Sequence, residues 1–221
     1  EMSAERQQQI GPLLPEEDWI QCHQKGNQGT KSIPVMALRS AVVGQPEPAH
    51  YCAWLGQEEM EPQGVNLRWL CCWRAEGAGD RLSAHSRSVP WPLVQKFYLQ
   101  LQRLHPQSCI VDITNWNQWE ASQLRNIGVE ILNPRQGTLL DLAQECRLSR
   151  VVTIDTALVH LCAAAGQKAD LLLSAYPDER WYELHRPEHN YGQAIKLWRS
   201  TQFGSWSAVL SSLITSLAAK V

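Results

Sequence analysis

This sequence has no long hydrophobic run and no excess of charge of either sign. None of the apolar runs in its 221 residues approaches the roughly 20 residues of a membrane-spanning helix, so we expect no membrane span. Its 20 basic and 22 acidic residues give a net charge of -2, which argues against the basic surface that binds nucleic acid. The start of the chain has no charged leader followed by an apolar segment, which predicts no signal peptide.

The motifs of common catalytic and metal sites are also missing. The seven cysteines include no C-x-x-C pair, and Cys71 and Cys72 lie in an apolar run, which is typical of reduced thiols in a cytoplasmic protein. Because the histidines lack metal-ligand spacing and no D-x-D pair occurs, we predict no metal and no other cofactor. No G-x-S-x-G elbow, P-loop or H-E-x-x-H motif is present, so no catalytic residue is assigned. The segment 77–79 lacks the third glycine of a dinucleotide fingerprint.

From Leu67 onward, apolar strand patterns alternate with helical patterns. Hydrophobic residues make up 44% of the chain, which is enough for a sizeable core. The patterns predict strands at 67–73, 108–113, 128–132, 169–174 and 195–198, helices at 90–104, 116–126, 138–148 and 206–219, and a strand followed by a helix within 151–166. This alternation predicts an α/β fold with a doubly wound parallel sheet.

The first part of the chain does not share this regularity. Residues 1–62 contain clusters of glutamine, glycine and proline, and only 33–43 is apolar enough for a short strand or packed turn. We predict that this segment is an irregular extension without a core of its own, and that residues 63–221 form the regular domain. The start at Glu1 suggests a piece of a longer protein.

The segment 151–166 is the strongest candidate for a binding site. A buried strand ends at Asp155 and Thr156, which are both good N-cap residues, and a helix of small residues follows. The amides at the start of this helix, near Ala157, and the ring of His160 one turn further on are expected at the carboxyl edge of the sheet. Parallel α/β proteins bind phosphate at this edge. The alternative is an ordinary capped crossover helix with a packed histidine, and the spacing alone slightly favours it.

Two arginines in neighbouring loops are candidates to bind the same anion. Arg87 lies in the polar loop after the first strand, and Arg180 follows the strand at 169–174. A guanidinium can hold a phosphate through two parallel hydrogen bonds. A solvated loop is an equally good interpretation for Arg87, and a simple ion pair with Asp178 or Glu183 is an equally good one for Arg180.

Four patches occur in the order found in one family of enzymes. Residues 155–166 match the pattern D-T-[GA]-x-x-H-x-[AC]-[AG]-A-x-G, and Trp73 is followed by an R-S-V-P entry at 87–90. A D-E-R-W block stands at 178–181, and K-L-W-R precedes G-S-W within 196–206. In these patches the chain resembles the carboxyl-terminal lobe of two-lobed (GT-B type) glycosyltransferases of the ADP-heptose transferase kind. It is most similar to the bacterial tetratricopeptide-associated members.

The resemblance implies a Rossmann-like lobe that binds a nucleotide diphosphate sugar. It implies that Asp155, Thr156, Ala157, His160, Arg87 and Arg180 contact this donor, and that sugar transfer requires no metal. The sugar acceptor is not indicated. The chain departs from the family by an insertion and a missing proline after residue 166, and it lacks most of the amino-terminal lobe, which carries the acceptor site. The alternative is therefore a non-catalytic binding or interaction module that has decayed from such an enzyme.

Overall fold

The computed structural model describes residues 67–75, 87–133, 138–175, 177, 181, 194–202 and 204–219. Within these ranges the strands are β1 Arg68–Cys72, β2 Cys109–Asp112, β3 Val129–Ile131, β4 Arg150–Ile154, β5 Ala169–Leu173 and β6 Ile195–Arg199. The helices that lie wholly within them are α1 Trp91–Leu104, α2 Gln118–Asn126, α3 Leu139–Leu148, α4 Ala157–Ala164 and α5 Trp206–Ala218. Each strand and helix predicted from the sequence pattern is confirmed, with ends that differ by one or two residues.

All six strands belong to one parallel sheet, in the order β3-β2-β1-β4-β5-β6. The order extends from β1 in one direction to β3 and then from β4 in the other direction to β6. Doubly wound α/β sheets have this arrangement, and their ligands bind where the order reverses. The reversal lies between β1 and β4, where Cys72 is paired in register with Thr153.

Helices cover both faces of the sheet. On one face, α1, α2 and α5 pack on a core that includes Trp69, Trp73 and Val152. On the other face, α3 and α4 pack on a second core that includes Leu70 and Leu171. Strands β1, β4 and β5 are buried on both faces, as continuous apolar runs in parallel sheets usually are. The prediction of a parallel α/β fold is therefore confirmed.

Local sequence signals explain where several helices begin and end. Asn117 and Glu120 form a capping box at the start of α2, and Thr138 and Asp141 form one at the start of α3. Helix α4 is followed by Gly166, whose φ of 74° is a left-handed conformation that favours glycine just beyond a helix end. These signals set the helix ends independently of the core.

The predicted amino-terminal extension, residues 1–62, lies outside the described residues, and so does Arg180. The partial fingerprint at 77–79 also lies outside them. The boundary proposed at residue 63 therefore stays a prediction. The regular region begins with β1 at Arg68, close to the predicted start of the first strand.

Candidate functional site

The candidate site is the carboxyl edge of the sheet between β1 and β4. Because α1, which follows β1, packs on one face of the sheet and α4, which follows β4, packs on the other, the helices after these two neighbouring strands diverge. In doubly wound sheets, ligands bind in the crevice above the strand ends at such a point. Asp155 and Thr156, which the sequence pattern placed at the carboxyl edge, directly follow Ile154 at the end of β4. Their predicted position on the sheet is confirmed.

Arg87 and Asp155 meet at this edge as an ion pair. Arg87 Nη1 lies 3.6 Å from Asp155 Oδ2 and donates a hydrogen bond of 3.2 Å to the Asp155 carbonyl oxygen. The Asp155 side chain is almost fully buried at 4% exposure, whereas Arg87 keeps 24%. The guanidinium thus links the segment that precedes α1 to the turn before α4 and balances a buried carboxylate.

Thr156 is the N-cap residue of α4, but its side chain does not cap the helix. Its backbone is extended, with φ of -138° and ψ of 175°, and its hydroxyl makes no hydrogen bond to the first turn. The hydroxyl instead lies 3.3 Å from Thr153 Oγ1 and 4.0 Å from Cys72 Sγ. The first helical residue, Ala157, is exposed. The predicted N-cap position of Thr156 is confirmed. Its hydroxyl lies near side chains of β1 and β4 rather than near the amides of α4.

The Cys72 thiol lies beside this turn, and it is not activated. Burial, followed by the charge of Asp112, raises the pKa of Cys72 to about 12. A nucleophilic cysteine needs a thiolate at neutral pH, which requires a lowered pKa. Cys72 is therefore a neutral packing residue at the end of β1.

His160 lies one turn into α4 and packs against an aromatic ring. Its imidazole stacks on the indole of Trp181, with ring centroids 5.8 Å apart and planes inclined by 16°. Trp181 is buried, and its carbonyl oxygen accepts a hydrogen bond from the Arg199 guanidinium. This contact agrees with the packed histidine that the spacing also allowed. Whether His160 in addition contacts a ligand stays a prediction.

A buried carboxylate at the end of β2 organises the neighbouring loop. Asp112 accepts hydrogen bonds from the Tyr98 hydroxyl at 2.7 Å, from Trp116 Nε1 at 2.9 Å and from the Thr114 amide at 2.6 Å. Burial raises the pKa of Asp112 to about 6, although these hydrogen bonds act in the opposite direction. Tyr98 in turn accepts from Trp73 Nε1 at 2.6 Å. The network holds the loops after β1 and β2 together.

The other described arginine of the first loop, Arg74, is also paired with a carboxylate. Its Nη1 and Nη2 donate to the two carboxylate oxygens of Glu120 at 2.7 and 2.5 Å. Burial raises the pKa of Glu120, but hydrogen bonds from Arg74 and the Asn117 amide outweigh it, so the pKa is lowered overall. Arg74 therefore supports the start of α2 through its ion pair with Glu120.

The structure thus brings together three of the predicted residues, Arg87, Asp155 and Thr156, with Ala157 beside them at the start of α4. Sequence reasoning did not find Asp112 or the pairing of Arg74 with Glu120. An aspartate at the end of an otherwise apolar strand was a possible signal for Asp112. The pairing had no signal, since its partners stand 46 positions apart.

Removing one partner of the ion pair at the crevice should destabilise the protein. We expect R87M to lower the free energy of unfolding by about 1–2 kcal/mol, because the buried Asp155 carboxylate loses its countercharge. Solvent at the partly exposed Arg87 keeps the loss below that of a fully buried pair. In the double variant R87M/D155N most of the loss should be recovered. Urea denaturation of the single and double variants measures the coupling, and additive losses would show that the two residues do not interact.

In the described ranges, no helix is long and apolar enough to cross a bilayer, and no group of three or more His, Cys, Asp or Glu residues is arranged to hold a metal ion. The five cysteines in these ranges, Cys71, Cys72, Cys109, Cys146 and Cys162, are free thiols. Comparison of the sequence with models of known protein families gives no match, and comparison with curated proteins gives none either.

Proposed function

We propose that the crevice between β1 and β4 binds a nucleotide diphosphate sugar, and that the chain is the donor-binding lobe of a metal-independent glycosyltransferase. One observation carries the proposal. The point where the strand order reverses coincides with the start of α4, a helix whose N-cap side chain makes no hydrogen bond to the first turn. Amides at a helix N-terminus are good donors to phosphate oxygens. The resemblance to the Rossmann-like lobe of GT-B type glycosyltransferases adds support from the sequence.

The proposed role of this edge is to stabilise the leaving group. When the bond between the sugar and the diphosphate breaks, negative charge builds up on the diphosphate, and donors aimed at that charge lower the barrier. The dipole and amides of α4 would contribute roughly 0.3–2 kcal/mol. Arg87 is the described cation nearest to this turn, and Arg180 and His160 are the further contacts that the family pattern suggests. The base that activates the acceptor is expected on the amino-terminal lobe.

A non-catalytic binding module is the second candidate, and the charge pairing at this edge favours it. Arg87 is held by Asp155, and Arg74 by Glu120, so each of these cations already has a carboxylate partner. A site that keeps its arginines paired attracts a diphosphate less strongly than one with uncompensated cations. This candidate predicts weak nucleotide binding or none.

The start of α4 allows a test that separates ligand binding from folding. A glutamate at position 157 should slightly stabilise the helix, because a negative charge near the N-terminus interacts favourably with the helix dipole. The same charge should repel a diphosphate. We therefore expect A157E to weaken binding of a nucleoside diphosphate by about tenfold or more relative to A157Q, which has the same size and no charge.

Calorimetric titrations with ADP, UDP and GDP, run on the full chain and on both variants, provide the measurement. Thermal unfolding of A157E and A157Q serves as the control that both variants fold. If none of the three nucleotides binds, or if A157E binds as tightly as A157Q, the donor-binding proposal is wrong. The first of these outcomes would favour the non-catalytic module.

A further inference from the structure

The fully buried Asp112 carboxylate receives hydrogen bonds from two kinds of donor. Trp116 Nε1 and the Thr114 amide can only donate, so they suit the carboxylate and cannot accept from a protonated carboxyl. A hydroxyl, in contrast, can donate or accept. The Tyr98 hydroxyl, 2.7 Å from Asp112 Oδ2, is therefore a suitable partner for the carboxyl in either of its protonation states.

The Tyr98 oxygen can be the acceptor that a protonated Asp112 needs. It already accepts from Trp73 Nε1 at 2.6 Å, and a hydroxyl oxygen can accept a second hydrogen bond. If a proton binds to Asp112 Oδ2 and donates to this oxygen, the hydrogen of Tyr98 has to turn away from Asp112. Because Tyr98 is fully buried, a hydrogen left without an acceptor would cost the desolvation of the hydroxyl. The hydroxyl therefore requires a second acceptor nearby.

The Cys71 sulfur provides that second acceptor. Cys71 is paired in register with Asp112 on the neighbouring strand, and it packs in the same core as Tyr98. Burial and the charge of Asp112 raise the pKa of Cys71, whereas a hydrogen bond from the Tyr98 hydroxyl acts in the opposite direction. The sulfur thus lies within reach of this hydroxyl. Because its pKa is raised, Cys71 stays a neutral thiol, whose sulfur is a weak acceptor.

We propose that Asp112, Tyr98 and Cys71 form a buried proton switch, in which the Tyr98 hydroxyl donates to Asp112 in the carboxylate state and to Cys71 in the carboxylic acid state. One proton enters from solvent and binds to Asp112 Oδ2. Neither Tyr98 nor Cys71 gains or loses a proton, since burial raises the pKa of both groups. The only other change is the direction in which the Tyr98 hydroxyl donates.

The groups around Asp112 allow this change close to neutral pH. Burial raises the pKa of Asp112 to about 6. Within the described part of the chain, the titratable groups that its charge acts on are three neutral side chains from α1 and β1: Tyr98, Cys71 and Cys72. The Arg74 guanidinium lies 4.2 Å from the centre of the Trp116 ring, and Glu120 neutralises it. Proton uptake at Asp112 is therefore not opposed by an uncompensated charge on Arg74.

The switch should loosen the loop after β2 when the pH falls. Hydrogen bonds to an ionised carboxylate are roughly twice as strong as those to a neutral group. Protonation of Asp112 therefore weakens the bonds from Trp116 Nε1 and the Thr114 amide. The same loop is tied to the end of β1, because the Thr114 hydroxyl accepts from the Trp73 amide. The switch thus couples a proton in the core to the carboxyl edge, and it does not depend on nucleotide binding.

An NMR titration of the full chain from about pH 4 to pH 8 tests the switch. The signal of the Asp112 carboxyl carbon, assigned with D112N, gives the pKa. We expect C71A to lower this pKa by about 0.5–1, because the acid state loses the acceptor for Tyr98. The matched control is C72A, which removes the adjacent buried thiol from the other core and should leave the pKa unchanged.

Three results of this comparison would overturn the proposal. They are a pKa of Asp112 that neither variant lowers, an equal fall in both variants, and a fall in C72A alone. The last result would show that the Thr114 hydroxyl, which can hydrogen bond to both Asp112 and Cys72, turns instead of Tyr98. A fall confined to C71A would support the proposal.

The indole N–H signals of Trp73 and Trp116 give a second measurement that needs no cysteine variant. In the unaltered protein both should shift as Asp112 titrates, because Trp73 donates to the hydroxyl that turns and Trp116 donates to the carboxyl itself. In Y98F the Trp116 signal should still follow the titration, whereas the Trp73 signal should not. The proposal is wrong if Trp73 does not titrate in the unaltered protein, or if it still follows Asp112 in Y98F. Thermal unfolding checks that the variants fold, and the indole signals decide if C71A does not.

Discussion

Replacing Asp112 with alanine should lower the free energy of unfolding by about 3–5 kcal/mol, the largest single-residue effect that we expect at this edge. The carboxylate is fully buried and accepts hydrogen bonds from Tyr98, Thr114 and Trp116. In D112A these three donors lose their acceptor in a place that water does not reach. Urea denaturation followed by tryptophan fluorescence measures the loss.

Two further variants separate the hydrogen bonds from the space that Asp112 fills. D112N keeps the shape and one acceptor oxygen, so we expect a smaller loss of about 1–3 kcal/mol. Y98F removes one donor to Asp112 and also the acceptor of Trp73 Nε1, and about 1–2 kcal/mol should be lost. If D112A is no less stable than Y98F, the carboxylate does not organise the loop, and the account of this network fails.

The second large effect is the contribution of Asp112 ionisation to the pH dependence of stability. Its pKa is about 6 in the folded protein and 3.8 in the ordinary, solvated state, chiefly because of burial. Between these values the folded state retains a proton that the unfolded state has released. Rising pH therefore favours unfolding in this window, and the contribution of Asp112 to stability falls by about 2–3 kcal/mol from pH 4 to pH 6. Above the folded pKa the contribution is constant.

The comparison with D112N isolates this effect from other acidic groups. Carboxylates with lowered pKa values, such as Glu120, have the opposite pH dependence, so the total stability need not fall. We therefore expect the stability difference between the unaltered protein and D112N to decrease as pH rises from 4 to 6. Urea denaturation of both proteins at several pH values gives this difference. A difference that stays constant, or that increases with pH, would show that the pKa of Asp112 is not raised in the folded protein.

Local signals in the sequence were sufficient to locate the strands and helices. The strand 151–154 could be read directly, because both faces of a central parallel strand are buried and its residues are then mostly apolar and β-branched. The structure adds that Asn117 and Thr138 cap α2 and α3, through side chains that bind amides only three residues away. Such interactions operate over a few residues and leave a pattern in the chain itself.

The partners of charged side chains could not be found in the same way. Arg87 and Asp155 are 68 positions apart, and Arg74 and Glu120 are 46 apart. Nothing in the local sequence distinguishes an arginine that binds a ligand from one that pairs with a distant carboxylate. The hydroxyl of Thr156 likewise lies near Thr153 and Cys72, two contacts that its predicted position as the N-cap of a helix did not indicate.

The sequence by itself therefore determined the α/β class, the parallel sheet and the position of Asp155 and Thr156 at the carboxyl edge of β4. The tertiary structure decided which charges are neutralised, where the strand order reverses, and that the Trp91 ring packs against those of Trp116 and Trp119. The physical reason is the range of the interactions. Strand and helix formation follows hydrophobic periodicity over a few residues, whereas ion pairs and ring contacts depend on how distant segments pack together.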